Sequence, residues 1–201
     1  MNQAISSLKK FIKNSTISGE SYVIQKKPQN NIFICSYPRS GNTVMRLAMA
    51  QGVLNRRVDV SEIDKVTVEP YASKKSDINN LVQEKNCIIK WHSLPSSIHQ
   101  SNKIIYLYRD PIKVCRSYYT YKKYRHQTFS SRANEFIDEF INGTLDSFGR
   151  WDINVQLWKT FINNNGGCFL DFDNMINDPG LIYDSIQNFY QIEDFDKKYF
   201  V

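Results

Sequence analysis

The chain has 201 residues, of which 41% are hydrophobic and 23% charged, the proportions of an ordinary globular protein and not of a disordered or fibrous one. A formal net charge of +6 and a pI near 9.0 favour anionic partners. No stretch stays apolar for the ~20 residues a membrane-spanning helix needs, and the length suits one domain better than two.

Residues 1–30 read as an N-terminal extension and 31–192 as the core of a single domain spanning 1–201. The extension opens with an amphipathic stretch, Ile5, Leu8, Phe11 and Ile12, but Lys9, Lys10 and Lys13 break up any secretion-signal core, so the chain is expected in the cytoplasm. Next, Ile32–Ser36 predicts a strand, Tyr37-Pro38-Arg39-Ser40-Gly41-Asn42-Thr43 a tight turn, and Thr43–Leu54 a helix. A helix start after such a turn aims unpaired N–H groups and partial positive charge outward, so phosphate or sulfate is its natural ligand. Arg39 adds a fixed cation and a fork of donors there. The loop is not a Walker A motif, because Asn42 and Thr43 stand where Lys and Ser/Thr would follow a second glycine.

Asn55–Ser76 is polar and reads as a long irregular excursion over the sheet edge, where a substrate loop would sit. Further strands are predicted at Cys87–Trp91, Lys103–Tyr108 and Gly167–Phe172. Helices are predicted at Asp77–Glu84, Asp110–Tyr124, Arg132–Ile141, Phe148–Asn163 and Pro179–Tyr190, with Gly166 and Gly167 stopping the penultimate one. This alternation predicts an α/β fold, a mostly parallel central sheet flanked by helices. Cys35, Cys87, Cys115 and Cys168 lack metal-site spacing and read as free thiols in a reducing compartment, and His92, His99 and His126 form no pair on one helix face, so no metal is expected. The tract Lys122–His126 beside Tyr118, Tyr119 and Tyr121 interleaves basic and aromatic residues; a solvated helix face with inward tyrosines is preferred over a nucleic-acid surface.

Two more strand ends carry chemistry. Lys90 and His92 lie where the Cys87–Trp91 strand finishes, and ligands of parallel sheets collect at such carboxyl ends. An imidazole there, with an ordinary pKa of roughly 6.5, can take a proton from an attacking hydroxyl; a structural hydrogen bond is its plainer role. Arg109 leaves the next strand, Asp110 and Pro111 cap and start a helix, and Ser117 follows two turns later, so Arg109 and Ser117 form a candidate second phosphate site.

Together these segments resemble those of sulfotransferases that use 3′-phosphoadenosine-5′-phosphosulfate (PAPS). The family's 5′-phosphosulfate loop, Tyr-Pro-Lys/Arg-Ser-Gly-x-Thr, is matched by Tyr37 to Thr43. Its Lys-x-His-Leu-Pro segment is similar to Lys90–Pro95, with Ser93 inserted. Its 3′-phosphate segment is matched by Arg109, Asp110, Pro111, Ser117, Tyr118 and Tyr119, and Phe169–Met175 resembles its Tyr-Glu-Asp-Met strand end. An aromatic that many members place after the loop is Val44 here, which leaves Phe172 as a surface for adenine. The family's Arg-Lys-Gly segment has no counterpart before Val201, which would shift the grip on the 3′-phosphate to Arg109 and Ser117.

The resemblance implies a three-layer P-loop-like fold and transfer of a sulfonyl group from PAPS, leaving adenosine 3′,5′-bisphosphate (PAP). It assigns catalysis to His92 as general base, with Arg39 and Lys90, and nucleotide binding to Arg39, Ser40, Gly41, Asn42, Thr43, Val44, Arg109, Ser117 and Phe172. The expected acceptor is a hydroxyl or amine, a saccharide or small alcohol, with no metal and no nucleic acid as partner. Rival readings are another phosphate-loop transferase, such as a small kinase, and a non-catalytic nucleotide- or polyanion-binding module.

Overall fold

The computed structural model describes residues 22–24, 31–54, 56–70, 87–125 and 132–190. The helix expected at 77–84, the amphipathic N-terminal stretch and His126 lie outside them. The strands are β1 (Tyr22–Ile24), β2 (Ile32–Ser36), β3 (Thr67–Val68), β4 (Ile88–Trp91), β5 (Lys103–Tyr108) and β6 (Gly167–Asp171). The helices are α1 (Asn42–Leu54), α2 (Pro111–Arg125), α3 (Ala133–Asn142), α4 (Trp151–Asn165), α5 (Phe172–Asn177) and α6 (Pro179–Tyr190).

The strands form one sheet in the order β1-β6-β5-β2-β4-β3. It is parallel from β6 to β3, and β1 joins antiparallel at the β6 edge. Alternation along buried strands sends successive side chains to opposite faces. Phe33, Cys35, Ile104, Tyr106 and Phe169 pack under α2, α3 and α4 with Val114, Tyr118, Phe136, Phe140, Trp151 and Trp158. Ile34, Ile105, Leu107 and Leu170 pack on the other face with Met45 and Met49 of α1, Met175 of α5, and Tyr183 and Ile186 of α6. The result is the expected three-layer α/β architecture.

The chain runs from β2 to β3 and β4 on one side, then crosses to β5 and β6 on the other. β2 thus lies at the switch point, with β4 and β5 as its neighbours, and that is where an open parallel sheet leaves a crevice at its carboxyl end. The loop after β2, His92 after β4 and Arg109 after β5 are brought together by this topology.

The excursion expected to be irregular is partly ordered. A 3₁₀ helix at Val60–Lys65 is started by a capping box, in which the Asp59 carboxylate accepts from Ser61 N–H and Glu62 accepts from Asp59 N–H, and β3 then pairs with β4. Buried Arg46 of α1 ties this segment down, donating to Thr67 Oγ1 (Nε, 2.8 Å) and to Asp64 Oδ1 (Nη2, 2.6 Å). β6 ends one residue earlier than expected, because the Asp171 carboxylate accepts from Asp173 and Asn174 N–H and starts α5 at Phe172.

All four cysteines are free, three of them buried. Among the described residues no helix is long and apolar enough to cross a membrane, and no cluster of three or more His, Cys, Asp or Glu could hold a metal ion.

His99 is fully buried, ringed by Phe33 (4.7 Å), Trp158 (4.9 Å) and Trp91 (5.0 Å), and its Nδ1 accepts from Ser96 N–H at 2.9 Å. Burial lowers its pKa from 6.5 to about 4, so it is neutral in the native state. The unfolded chain therefore binds protons first as pH falls, and stability is lost from pH 6.5 down to about 4. The expected loss from this residue reaches about 3 kcal/mol at the acid end. Urea midpoints measured across that range should fall less steeply in His99→Gln than in the wild type; identical slopes would exclude His99 as the titrating group.

Candidate active site

The loop after β2 is shaped by two residues with left-handed backbone. Ser40 N–H closes a turn onto Tyr37 C=O (3.3 Å), with Pro38 at its second position and Arg39 at its third. That third position requires positive φ in a type II turn, and Arg39 has φ 70°, the only such residue besides glycine among those described. A non-glycine residue held there is strained, which gives the loop a reason to be read as functional. Tyr37 anchors the turn in the core by donating to Gly149 C=O (3.2 Å). Gly41 follows at φ 98°, and a Cβ there would lie 2.0 Å from the Phe172 ring.

Helix α1 makes its first backbone bond from Met45 N–H to Gly41 C=O (3.1 Å), so the N–H groups of Asn42, Thr43 and Val44 come before the helical ladder begins. The Asn42 side chain turns inward, donating to Ile34 C=O (2.7 Å) and Ser36 Oγ (3.2 Å), and so pins the helix start to β2.

A cavity of about 610 Å³ opens at this end of the sheet. Arg39, Gly41, Asn42, Thr43 and Val44 line it, as do Lys90, His92, Arg109, Ser117 and Phe172, so nearly every residue singled out in the sequence converges on one space. Ser40 is the exception: it is buried, does not line the cavity, and its hydroxyl has no hydrogen-bond partner among the described residues. Ser40 is expected at the nucleotide through its backbone N–H, the group that closes the turn onto Tyr37 C=O, while its side chain packs within the turn.

On the α2 side, Arg39 Nε donates to Ser117 Oγ (3.2 Å) and its guanidinium stacks on Tyr121 (4.7 Å). Arg109 Nη1 donates to Arg39 C=O (3.0 Å), its guanidinium lies over Phe172 (4.9 Å), and it is 3.9 Å from Asp173. Its Nε is buried with no hydrogen-bond partner among the described residues, and it is this atom that lies 3.9 Å from Asp173 Oδ1.

His92 is 8% exposed. Its Nδ1 lies 2.8 Å from Ser36 C=O, and a carbonyl only accepts, so Nδ1 carries the proton and Nε2 is the basic nitrogen. Burial lowers its pKa from 6.5 to about 4, against the opposing effect of the Ser36 bond, so the imidazole is neutral at pH 7. The strand end that carries it is fixed from α4, where Asn154 Nδ2 donates to His92 C=O (3.1 Å) and Trp158 Nε1 to Ser93 C=O (3.1 Å).

Lys90 is not an isolated cation, because its ammonium is ion-paired with Glu69. Glu69 was missed in the sequence, where the β-branched run Val66-Thr67-Val68 just before it was the readable sign of an edge strand. The remaining wall comes from Tyr118, Tyr121, Arg125 and Phe148, whose ring packs against His92 at 5.5 Å.

The chain is similar to known proteins. Flavonol 3-sulfotransferase of Flaveria bidentis is 26% identical over 185 residues, covering 84% of this chain and 58% of the relative. Amine sulfotransferase of Oryctolagus cuniculus is 24% identical over 157 residues, covering 74% and 52%. The chain thus spans little more than half the length of these relatives. Among solved structures, mouse sulfotransferase SULT7A1 complexed with PAP superposes with a TM-score of 0.68 at 21% identity, over 88% of this chain and 63% of that one. Retinol dehydratase, in complex with androsterone and inactive cofactor PAP, superposes with a TM-score of 0.63 at 16% identity over the same shares. The sulfotransferase domain model matches residues 29–198, and with that match over most of its length this chain belongs to the sulfotransferase domain family.

Proposed function

We propose that this chain transfers a sulfonyl group from PAPS to a hydroxyl or amine acceptor, with a saccharide as the acceptor class. The observation that carries the reading is the convergence of the β2–α1 loop, Arg109, Ser117 and His92 on one cavity. The residues present fit the nucleotide: the loop offers helix-start N–H groups, Gly41 allows close approach, and Arg109 brings a guanidinium whose Nε makes no hydrogen bond among the described residues. When bound, PAPS supplies a sulfonyl group whose S–O bond to the 5′-phosphate breaks as the acceptor oxygen forms its own.

Arg39 and the N–H groups of Asn42 to Val44 hold the 5′-phosphate end and neutralise charge where it grows. Arg109 and Ser117 take the 3′-phosphate, and Phe172 offers a ring beside them. His92 Nε2 accepts the acceptor's proton, with Nδ1 tethered to Ser36 so that the ring keeps its orientation. Phe148 closes the wall beside the imidazole and limits water there. Lys90, held by Glu69, places a cation beside the transferring group.

The test is calorimetric titration with PAP, with and without Mg²⁺, against ATP. PAP should bind without Mg²⁺ and well above ATP; Mg²⁺-dependent preference for ATP would point to a kinase instead. Arg109→Ala should weaken PAP by about 10- to 100-fold, the scale of a charge-assisted contact, while leaving adenosine 5′-phosphate nearly unchanged. An equal effect on both nucleotides would take the 3′-phosphate away from Arg109.

A further inference from the structure

One face of α2 carries positive charge that no carboxylate among the described residues neutralises. Two adjacent rows at i, i+4 spacing, Arg116-Thr120-Tyr124 and Ser117-Tyr121-Arg125, form with Arg39 a second cavity of about 490 Å³. Arg39, Ser117, Tyr121 and Arg125 line both this space and the main cavity, so the two share a wall.

Several cations elsewhere are matched. Arg46, Arg56 and Arg150 face Asp64, Glu62 and Asp152, and in the main cavity Lys90 faces Glu69 and Arg109 faces Asp173. Arg116 and Arg125 have no carboxylate partner among the described residues. Like charges gathered on one wall repel unless a ligand answers them. The helix dipole favours the basic residues of the last turn, Lys122, Lys123 and Arg125, but does not explain Arg116, which stands well before it. Beside these guanidinium groups, Tyr124 is 79% and Tyr121 37% exposed, presenting apolar rings to a ligand.

We propose that the acceptor is an acidic saccharide, whose uronate carboxylate is gripped by Arg125, with Arg116 further along the chain of sugars, and whose rings lie on Tyr121 and Tyr124. The inference rests on the sulfonyl-transfer reading, because His92 marks where the reacting hydroxyl sits and Arg125 lines the same cavity. Planar guanidinium forks match carboxylates in pairs of parallel hydrogen bonds, which gives geometry as well as charge.

The test titrates PAP-loaded protein with a hyaluronan hexasaccharide and with the same hexasaccharide after carboxyl reduction. The acidic form should bind about tenfold tighter or more, and Arg125→Gln should remove most of that difference while leaving PAP affinity as it is. Arg57→Gln, at an exposed arginine outside both cavities, should keep the difference. Equal affinity for both forms, no binding of either, or an equal loss in Arg57→Gln would overturn the proposal. So would Arg125→Gln weakening PAP instead of the hexasaccharide, which would make Arg125 a nucleotide residue. Failure of the wild type to bind PAP would sink the sulfonyl-transfer reading by itself, and the same titration on unloaded protein would still read the discrimination by Arg125.

Discussion

Gly41→Ala is expected to weaken PAP binding by about 100-fold or more and to lower the melting temperature. The reason is double. A methyl group at this position would lie 2.0 Å from the Phe172 ring, and Gly41 sits at φ 98°, where side chains are strained whatever the space. Because α1 starts from Gly41 C=O, a shift there moves the helix-start N–H groups that receive the anion. Phe172 cannot retreat without loss, since its ring also supports the Arg109 guanidinium at 4.9 Å. Gly41→Ala/Phe172→Ala should therefore recover about tenfold of the lost affinity, with the backbone strain remaining. Phe172→Ala alone should cost about fivefold through a looser Arg109. Calorimetry with PAP and thermal melts on the three variants read the coupling directly. Wild-type affinity in Gly41→Ala would mean that the ring swings aside freely and that close packing of loop and Phe172 does not shape the site.

The parts of this architecture that were legible in the sequence are those whose physics is local. Ile32–Ser36 and Lys103–Tyr108 were read to the residue because central parallel strands are unbroken apolar runs, and Asp110-Pro111 announced α2 because its carboxylate accepts from Ile112 and Lys113 N–H. The convergence of Arg39, His92 and Arg109 was legible only through the rule that parallel strands end on one side. What escaped depends on partners distant in sequence. Glu69 meets Lys90 from the end of a neighbouring strand, and nothing beyond the two-residue β3 and its brief β-branched run pointed to the pairing. Arg46 looks like a surface residue of α1 until Asp64 and Thr67 fold over it. The motif offers Ser40 through its N–H, and the turn that aims Arg39 into the cavity buries the side chain that follows.

Replacing His92 by Asn should reduce sulfonyl transfer by about 10²- to 10⁴-fold, the usual contribution of a positioned general base, while PAP affinity stays close to wild type. Asn is the informative choice, because its amide N–H can replace the Nδ1 bond to Ser36 C=O and spare the strand end, whereas Ala would also leave that buried carbonyl unpaired. The pH profile separates catalysis from architecture. A free imidazole loses half its basic form at pH 6.5, but burial has lowered His92 to about 4, so the neutral, proton-accepting form persists well into acid. The sign follows: kcat/KM should stay level from neutrality down to about pH 5 and fall only below it. A fall centred near 6.5 would show that the residue titrates as if solvated and that its burial is lost in the working enzyme. Full activity in His92→Asn would pass the base to another group of the cavity, of which Glu69 is the carboxylate nearest at hand through its pairing with Lys90. Glu69→Gln would then lose turnover where His92→Asn had not. The low proton affinity of His92 also fits the reaction, since a sulfonyl acceptor needs its proton removed only as the new O–S bond forms. A weak base, fixed in place and kept neutral, meets that need without holding the proton at neutral pH, so it is ready for the next turnover.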